Sequence, residues 1–303
     1  MQAVVATGAG AGVTVKEVER PVADAGEVVV QIKAAALNHR DVWIIQGKYA
    51  NLRYPCILGS DGAGVVTEVG GGVDKNLVGQ EVVIQPGINW GDDERVQGRE
   101  YQILGMPRNG TMAGLVSVPA ANVYPKPTHL SFEEAAALPL AGLTAYRALF
   151  VKGGYNPQKR LLITGIGGGV AQTIFTFAMA AGGEVWVTSG DESKLEEAKK
   201  AGAAGGFNYK SHGWGGAEAK SMFDLIVDGA AGKGFRELAE AAAPAATIIV
   251  YGGTAGTIEV VPQRVFWKQL TIKGSTMGTP QEFEQMLAFV QKHQIRPVID
   301  KTF

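Results

Sequence analysis

Cysteine is almost absent from this chain. Cys56 is the one thiol among 303 residues, so no intramolecular disulfide and no multi-cysteine metal cluster can form. A lone thiol suits a reducing compartment, and a cytoplasmic protein is expected. An excess of either charge is also lacking. Lys and Arg number 28 against 29 Asp and Glu, which leaves no electrostatic footprint for nucleic acid or an anionic membrane and makes a small molecule the expected partner. No apolar window reaches the length of a membrane span, and the opening Met1-Gln2-Ala3-Val4-Val5 reads as a strand, not as a charged leader.

Glycine is abundant, 42 residues gathered at turns without a period. The most informative cluster follows the apolar strand Leu161-Leu162-Ile163-Thr164 and runs Gly165-Ile166-Gly167-Gly168-Gly169-Val170-Ala171. Residues without a Cβ let the main chain turn sharply and approach a diphosphate, while the helix that follows offers free N–H groups and a positive dipole end. Ala171, Ile174, Phe175, Ala178 and Met179 keep helical spacing, Gly182-Gly183 supply a C-cap, and a second strand, Glu184–Thr188, follows at once. A strand, glycine turn, helix and strand in that order form the βαβ unit of a dinucleotide site.

The end of the second strand bears on the cofactor. Folds that bind NAD commonly place Asp or Glu there for the ribose 2′-hydroxyl, and here the positions read Thr188, Ser189 and Gly190. A 2′-phosphate would meet no repulsion and Lys194 is within reach as a cation, so NADPH (NADP) is expected over NAD(H). Asp191 and Glu192 are read as N-terminal acids of a helix over 192–201, with Asp191 or Ser193 as its cap.

The length predicts two domains. Residues 1–125 read as an all-β domain, with strands at Ala3–Ala6, Val13–Glu19, Glu27–Ala36, Ala63–Val69, Glu81–Ile84 and Ala113–Val118. Residues 126–278 open on the helix signal Ser131-Phe132-Glu133-Glu134, continue through a helix at Ala141–Phe150, and then alternate strands and helices from Leu161 to Gly274. Six strands with intervening helices predict an α/β doubly wound parallel sheet whose ligand lies at the carboxyl ends, where Asp228-Gly229-Ala230, Tyr251-Gly252-Gly253 and Ser275-Thr276-Met277 stand.

With these residues on the page, the chain resembles the medium-chain dehydrogenase/reductase superfamily, in its zinc-free quinone-oxidoreductase-like and zinc-type alcohol dehydrogenase-like branch. The resemblance is carried by Ala36-Leu37-Asn38-His39-Arg40-Asp41, by Gly59-Ser60-Asp61-Gly62-Ala63-Gly64-Val65, by Ala135–Tyr146 and by the glycine turn. It implies a GroES-like β-barrel domain beside a Rossmann domain, the active site in the cleft between them, residues 279–303 returning toward the barrel, and a homodimer paired through edge strands near Leu270–Lys273. Relatives continue beyond Ile295–Asp300 with a helix and a strand, whereas this chain stops at Phe303. A shortened or partial chain, with an open edge or exposed apolar face on the barrel, is therefore expected.

For the cofactor, the resemblance implies Gly165, Ile166, Gly168, Gly169 and Val170 at the pyrophosphate, Gly190, Lys194 and Tyr209 around the 2′-phosphate, and Gly229, Tyr251 and Met277 along the ribose and nicotinamide. Pro244-Ala245-Ala246 replaces a usual Pro-Gly-Gly turn, which must avoid positive φ or bear strain. Asn38 and Ser60 stand at two ligand positions of the catalytic zinc found in many relatives, and Gly87–Glu94 carries none of the cysteines of a structural zinc site, so no metal is expected. His39 is read as a polar barrel residue and Asp41 as organising Arg40 or a backbone turn. Without zinc to acidify a hydroxyl, reduction of a quinone, an α,β-unsaturated carbonyl or an aldehyde is the expected reaction. Asn38 and Tyr49 are the expected hydrogen-bond donors to the acceptor oxygen, and Thr144 the residue that positions the nicotinamide. An NAD(H)-dependent zinc-independent alcohol or aldehyde dehydrogenase and a non-catalytic NADPH-binding sensor are the alternatives.

Overall fold

A computed structural model describes residues 1–303. The chain divides into two compact units, Met1–Leu143 with Gly278–Phe303, and Thr144–Met277.

The first unit is built of β1 (Gln2–Ala6), β2 (Val13–Glu17), β3 (Glu27–Ala36), α1 (His39–Ile45), β4 (Cys56–Ile57), β5 (Asp61–Val69), β6 (Glu81–Ile84), β7 (Gly87–Ile88), β8 (Gln102–Leu104), β9 (Pro107–Arg108), β10 (Leu115–Pro119), β11 (Val123–Pro125) and α2 (Phe132–Ala136), and it includes the helix Pro280–His293. Its main sheet has the order β10-β3-β5-β6-β11, antiparallel throughout. Alternation along these strands sends Val28, Val30, Val66, Val82, Ile84, Val116 and Val118 into one buried cluster. The β3–β5 contact is close enough that a Cβ on Gly64 would lie 2.0 Å from the Gln31 carbonyl oxygen, so glycine is required there.

The unit extends beyond the expected limit near residue 125 because α2 packs on β3, β5 and β6. Reciprocal capping starts this helix: Glu134 N–H donates to Ser131 Oγ at 3.1 Å and Ser131 N–H to the Glu134 carboxylate at 2.8 Å. Thr279 and Glu282 repeat the device at the helix Pro280–His293, whose Phe283, Met286 and Val290 are fully buried. The Phe283 ring lies 5.0 Å from that of Tyr124, which fixes residues 279–303 to this unit.

The second unit begins within α3 (Pro139–Tyr146) and contains β12 (Leu161–Ile163), α4 (Gly169–Ala180), β13 (Val185–Ser189), α5 (Glu192–Lys200), β14 (Gly205–Asn208), α6 (Trp214–Ala217), β15 (Phe223–Asp228), α7 (Phe235–Ala241), β16 (Ala242–Val250), α8 (Pro262–Lys268) and β17 (Thr271–Gly274). All six strands are parallel, in the order β14-β13-β12-β15-β16-β17, the doubly wound sheet that the sequence predicts. β12 is central and completely buried. The expected helix over 141–150 is interrupted, since α3 ends at Tyr146 and a π-helical turn spans Arg147–Lys152. Ala245 takes φ +62°, so the turn that lacks its usual glycines accepts left-handed backbone, at about 1 kcal/mol or more. No helix is long and apolar enough to cross a membrane.

Candidate active site

In the second unit the glycine turn has the shape of a phosphate cradle. Gly165 takes φ +63°, which leads the chain out of β12 and into Gly168, the N-cap of α4. No side chain caps that helix, and a Cβ placed on Gly165 or Gly169 would meet nothing within 4 Å. The first-turn N–H groups of Gly169 and Val170 are therefore offered to open space beside the positive end of a 12-residue helix. The turn is held from outside: Gly165 N–H donates to Thr188 Oγ1 at 3.1 Å and Ile166 N–H to the Thr188 carbonyl at 2.9 Å. Thr188 thus serves the turn with both its hydroxyl and its main chain. Nothing in the sequence distinguishes this role from that of any strand-end threonine.

Two lysines flank the turn and Gly190, the residue after β13. A Cβ on Gly190 would lie 2.6 Å from the Tyr209 hydroxyl and 2.8 Å from Lys210 Cε, and a Cβ on Gly167 would lie 2.9 Å from Lys194 Nζ. Lys194 thus bends back over the glycine turn, while Tyr209 and Lys210 cover Gly190. Lys210 escaped the sequence reading, although its place next to Tyr209 was a usable signal. Asp191 is the N-cap of α5, its Oδ1 accepting from Ser193 N–H at 3.0 Å. These Ser193 hydrogen bonds, with the nearby charges of Lys194 and Lys210, hold its carboxyl below the usual range. Its cap bonds fall on Oδ1.

The other expected nucleotide residues lie at the carboxyl ends of their strands. Asp228 is fully buried and accepts from Thr164 Oγ1 at 2.6 Å and from Ala231 N–H at 2.7 Å, which shapes the loop that contains Gly229. The Tyr251 hydroxyl presses on Gly229, where a Cβ would meet it at 2.6 Å. Burial, with the charge of Asp228, pushes the Tyr251 phenol up. Thr144 and Met277 meet, Oγ1 donating to Sδ at 3.7 Å, both side chains buried.

In the first unit a polar cluster forms where α1 meets the barrel strands. Asn38, the N-cap of α1, donates from Nδ2 to Asp61 Oδ2 at 2.9 Å, and Leu140 N–H donates to Asp61 Oδ1 at 2.9 Å. Burial outweighs both bonds and raises the Asp61 carboxyl to about 7. Asp41 Oδ2 accepts from Asn38 N–H at 2.8 Å, so Asp41 organises the backbone turn. Arg40 is buried among neutral partners: Nε donates to the Tyr49 hydroxyl at 3.2 Å, Nη1 to the Leu104 carbonyl at 2.6 Å and to Ser60 Oγ, and Nη2 to the Met106 carbonyl at 3.1 Å. The cluster thus joins Asn38 and Tyr49 to Ser60 and to Arg40 and Asp61, two residues for which the sequence pattern implies no part at the site. His39 is exposed at the start of α1, not on a barrel strand, and its ring lies 5.5 Å from that of Trp43.

Comparison with known proteins bears on both units. The family model of the alcohol dehydrogenase GroES-like domain matches residues 24–128, and that of the zinc-binding dehydrogenase matches residues 169–292. The chain is 34% identical to the zinc-type alcohol dehydrogenase-like protein YogA of Leptosphaeria maculans, over 94% of this chain and 85% of that protein. It belongs to the medium-chain dehydrogenase/reductase superfamily, in the zinc-type alcohol dehydrogenase-like branch. Among solved structures, an NAD-dependent alcohol dehydrogenase superposes with a TM-score of 0.90 at 38% identity, covering 98% of this chain and 91% of that one. An alcohol dehydrogenase of Geobacillus stearothermophilus is 31% identical over 94% of this chain and 88% of that protein.

At the two positions where the resemblance implies zinc ligands, Asn38 and Ser60 are otherwise engaged. The Asn38 amide is engaged with Asp61, and the Ser60 hydroxyl donates to the Leu104 carbonyl at 2.9 Å while it accepts from the Arg40 guanidinium. A neutral amide and a hydroxyl already bonded to a cation do not fit tetrahedral zinc, which takes thiolate, imidazole or carboxylate. The segment 87–95 does not fit a structural zinc either. Its loop closes on Trp90, whose indole N–H donates to the Asp93 carbonyl at 3.1 Å and whose ring meets Tyr101 edge-on at 5.2 Å.

Proposed function

We propose that this dehydrogenase is an NADPH-dependent oxidoreductase that reduces an electrophilic carbonyl acceptor, a quinone, an α,β-unsaturated carbonyl or an aldehyde, without zinc. The observation that supports the cofactor preference is the pair of lysines beside the turn, Lys194 over Gly167 and Lys210 with Tyr209 over Gly190, while Asp191 between them caps α5. There the two ammonium groups would pair with a 2′-phosphate and the Tyr209 hydroxyl would donate to it. Gly169 and Val170 would present main-chain N–H groups to the diphosphate, while Gly165 and Gly168, whose own N–H groups are taken by Thr188 and by the Gly165 carbonyl, would let it approach the bare main chain, with Ile166 keeping the turn in register. Gly229 and Tyr251 would line the ribose, and Thr144, backed by Met277, would orient the nicotinamide ring. When bound, the reduced dinucleotide supplies hydride from nicotinamide C4.

On the barrel unit, Asn38 and Tyr49 would donate hydrogen bonds to the acceptor oxygen as negative charge develops on it. Asp61 fixes the orientation of the Asn38 amide by taking one of its N–H groups, which leaves the second for the acceptor. These groups stabilise an oxyanion but do not acidify an alcohol as a metal ion would. Reduction of an already polarised acceptor is therefore favoured. A screen of quinones, enals and aldehydes, followed by loss of the dihydronicotinamide absorbance, tests the reading: turnover faster with NADPH than with NADH supports it, and no turnover with any acceptor contradicts it. An NAD(H)-dependent alcohol or aldehyde dehydrogenase is the second reading, favoured by the likeness to the NAD-dependent alcohol dehydrogenase.

We also infer a homodimer. β17 is the edge strand of the parallel sheet and is exposed along its whole length, and the neighbouring α8 carries Phe266 and Trp267 at 60% and 84% exposure. An unpaired edge beside exposed aromatic rings suits a second copy related by a twofold axis.

A further inference from the structure

We propose that Arg40 is the fixed positive centre of the acceptor site, a positioning residue that holds Tyr49 with its O–H free to donate to the acceptor oxygen. The proposal rests on the reading of Tyr49 as a donor given above and deepens it. Burying a guanidinium is costly, and Arg40 is 7% exposed with no carboxylate in contact with it. Its neighbours Asp41 and Asp61 act on it through charge alone. A cation kept under those terms is expected to serve the site and not the barrel fold.

The geometry gives that service a form. Arg40 Nε–H occupies a lone pair of the Tyr49 oxygen at 3.2 Å, while Cζ stands 4.8 Å from the centroid of the Tyr49 ring. A phenol that accepts from Nε has its own proton directed elsewhere. The rest of the guanidinium is anchored on the Leu104 and Met106 carbonyls and on Ser60, so the fork cannot swing away. Ser60 stands at a zinc-ligand position of the relatives. The positive charge that a metal would bring is thus carried here by a side chain of the barrel itself.

In the step this implies, the acceptor carbonyl carbon takes hydride, with its electron pair, from the dihydronicotinamide. The electrons of the C=O π bond pass to oxygen, and that oxygen takes the Tyr49 proton. The phenolate left behind is paired with the guanidinium until water reprotonates it; the carbonyl has become an alcohol and NADPH has become NADP⁺.

Tyr49→Phe, Arg40→Met, Arg40→Lys and the Tyr49→Phe/Arg40→Met double variant test this in the full-length protein. Each is measured for kcat, for KM of the acceptor, for calorimetric affinity for NADPH and for thermal unfolding. Tyr49→Phe should lower kcat about 100-fold, and Arg40→Met by a similar factor with NADPH affinity unchanged. The double variant should fall no more than about threefold below the worse single variant, because both remove one interaction. Arg40→Lys keeps a charge in the barrel without the fork and should fold as the wild type does, with kcat about tenfold down. Multiplicative losses, or Arg40 variants that lose stability or NADPH affinity while kcat holds, would overturn the role of Arg40 alone. A wild type that turns over with Tyr49→Phe silent overturns the donor role of Tyr49 and the proposal with it. A wild type without turnover overturns the functional reading as a whole.

Discussion

Asp61 is a buried carboxylate held by two hydrogen bonds, and desolvation still leaves it titrating near neutrality, at about 7 against an ordinary 3.8. A carboxyl raised on folding binds its proton more tightly in the native state, so its contribution to stability is complete below pH ~4 and is lost as pH rises through ~7. The thermal midpoint of the wild type should therefore fall across that window and level off above it. In Asp61→Asn the fall should be smaller. The Asn38 amide can flip to suit the new side chain, and the slope that remains belongs to Asp41, whose carboxyl burial raises as well. An unchanged slope in Asp61→Asn would remove Asp61 as its source. This behaviour has no local signature, because nothing in Gly59-Ser60-Asp61 tells that Asp61 will be sealed between Asn38 and Leu140.

At the scale of the element, the glycines separate into two kinds with different consequences. In Gly64→Ala the new methyl would meet the Gln31 carbonyl, so β3 and β5 must part; a loss on the order of 3 kcal/mol or more is expected, read as a lowered denaturation midpoint. Gly165→Ala meets open space but must hold φ +63°, and should cost only about 1 kcal/mol while it weakens dinucleotide binding. If calorimetry finds that binding unchanged, the diphosphate does not lie over this turn. The βαβ unit was legible in the sequence because periodicity and glycine position are local signals. Three features needed the tertiary structure: the π-helical turn at Arg147–Lys152, the grip of Thr188 on the glycine turn, and the return of Lys210 to Gly190. The burial of Arg40 against Ser60, Leu104 and Met106 also joins segments that lie far apart in the chain, and no spacing rule reports it.

At the scale of the whole molecule, the exposed β17 edge predicts a dimer that Trp267→Glu with Ile272→Lys converts to a monomer of unchanged secondary structure, as read by light scattering and circular dichroism. A doubly substituted protein that keeps the mass of the wild type would rule out this edge as the contact. Calorimetric titration of wild type and Lys194→Ala with NADPH and with NADH tests the proposed coenzyme preference of the second unit. The wild type is predicted to bind NADPH at least tenfold more tightly than NADH, and Lys194→Ala to lose most of that preference with NADH affinity little changed, since one charge-assisted phosphate contact contributes about 1.5–3 kcal/mol. Equal affinity for the two coenzymes in the wild type, or an equal loss for both in Lys194→Ala, would contradict it.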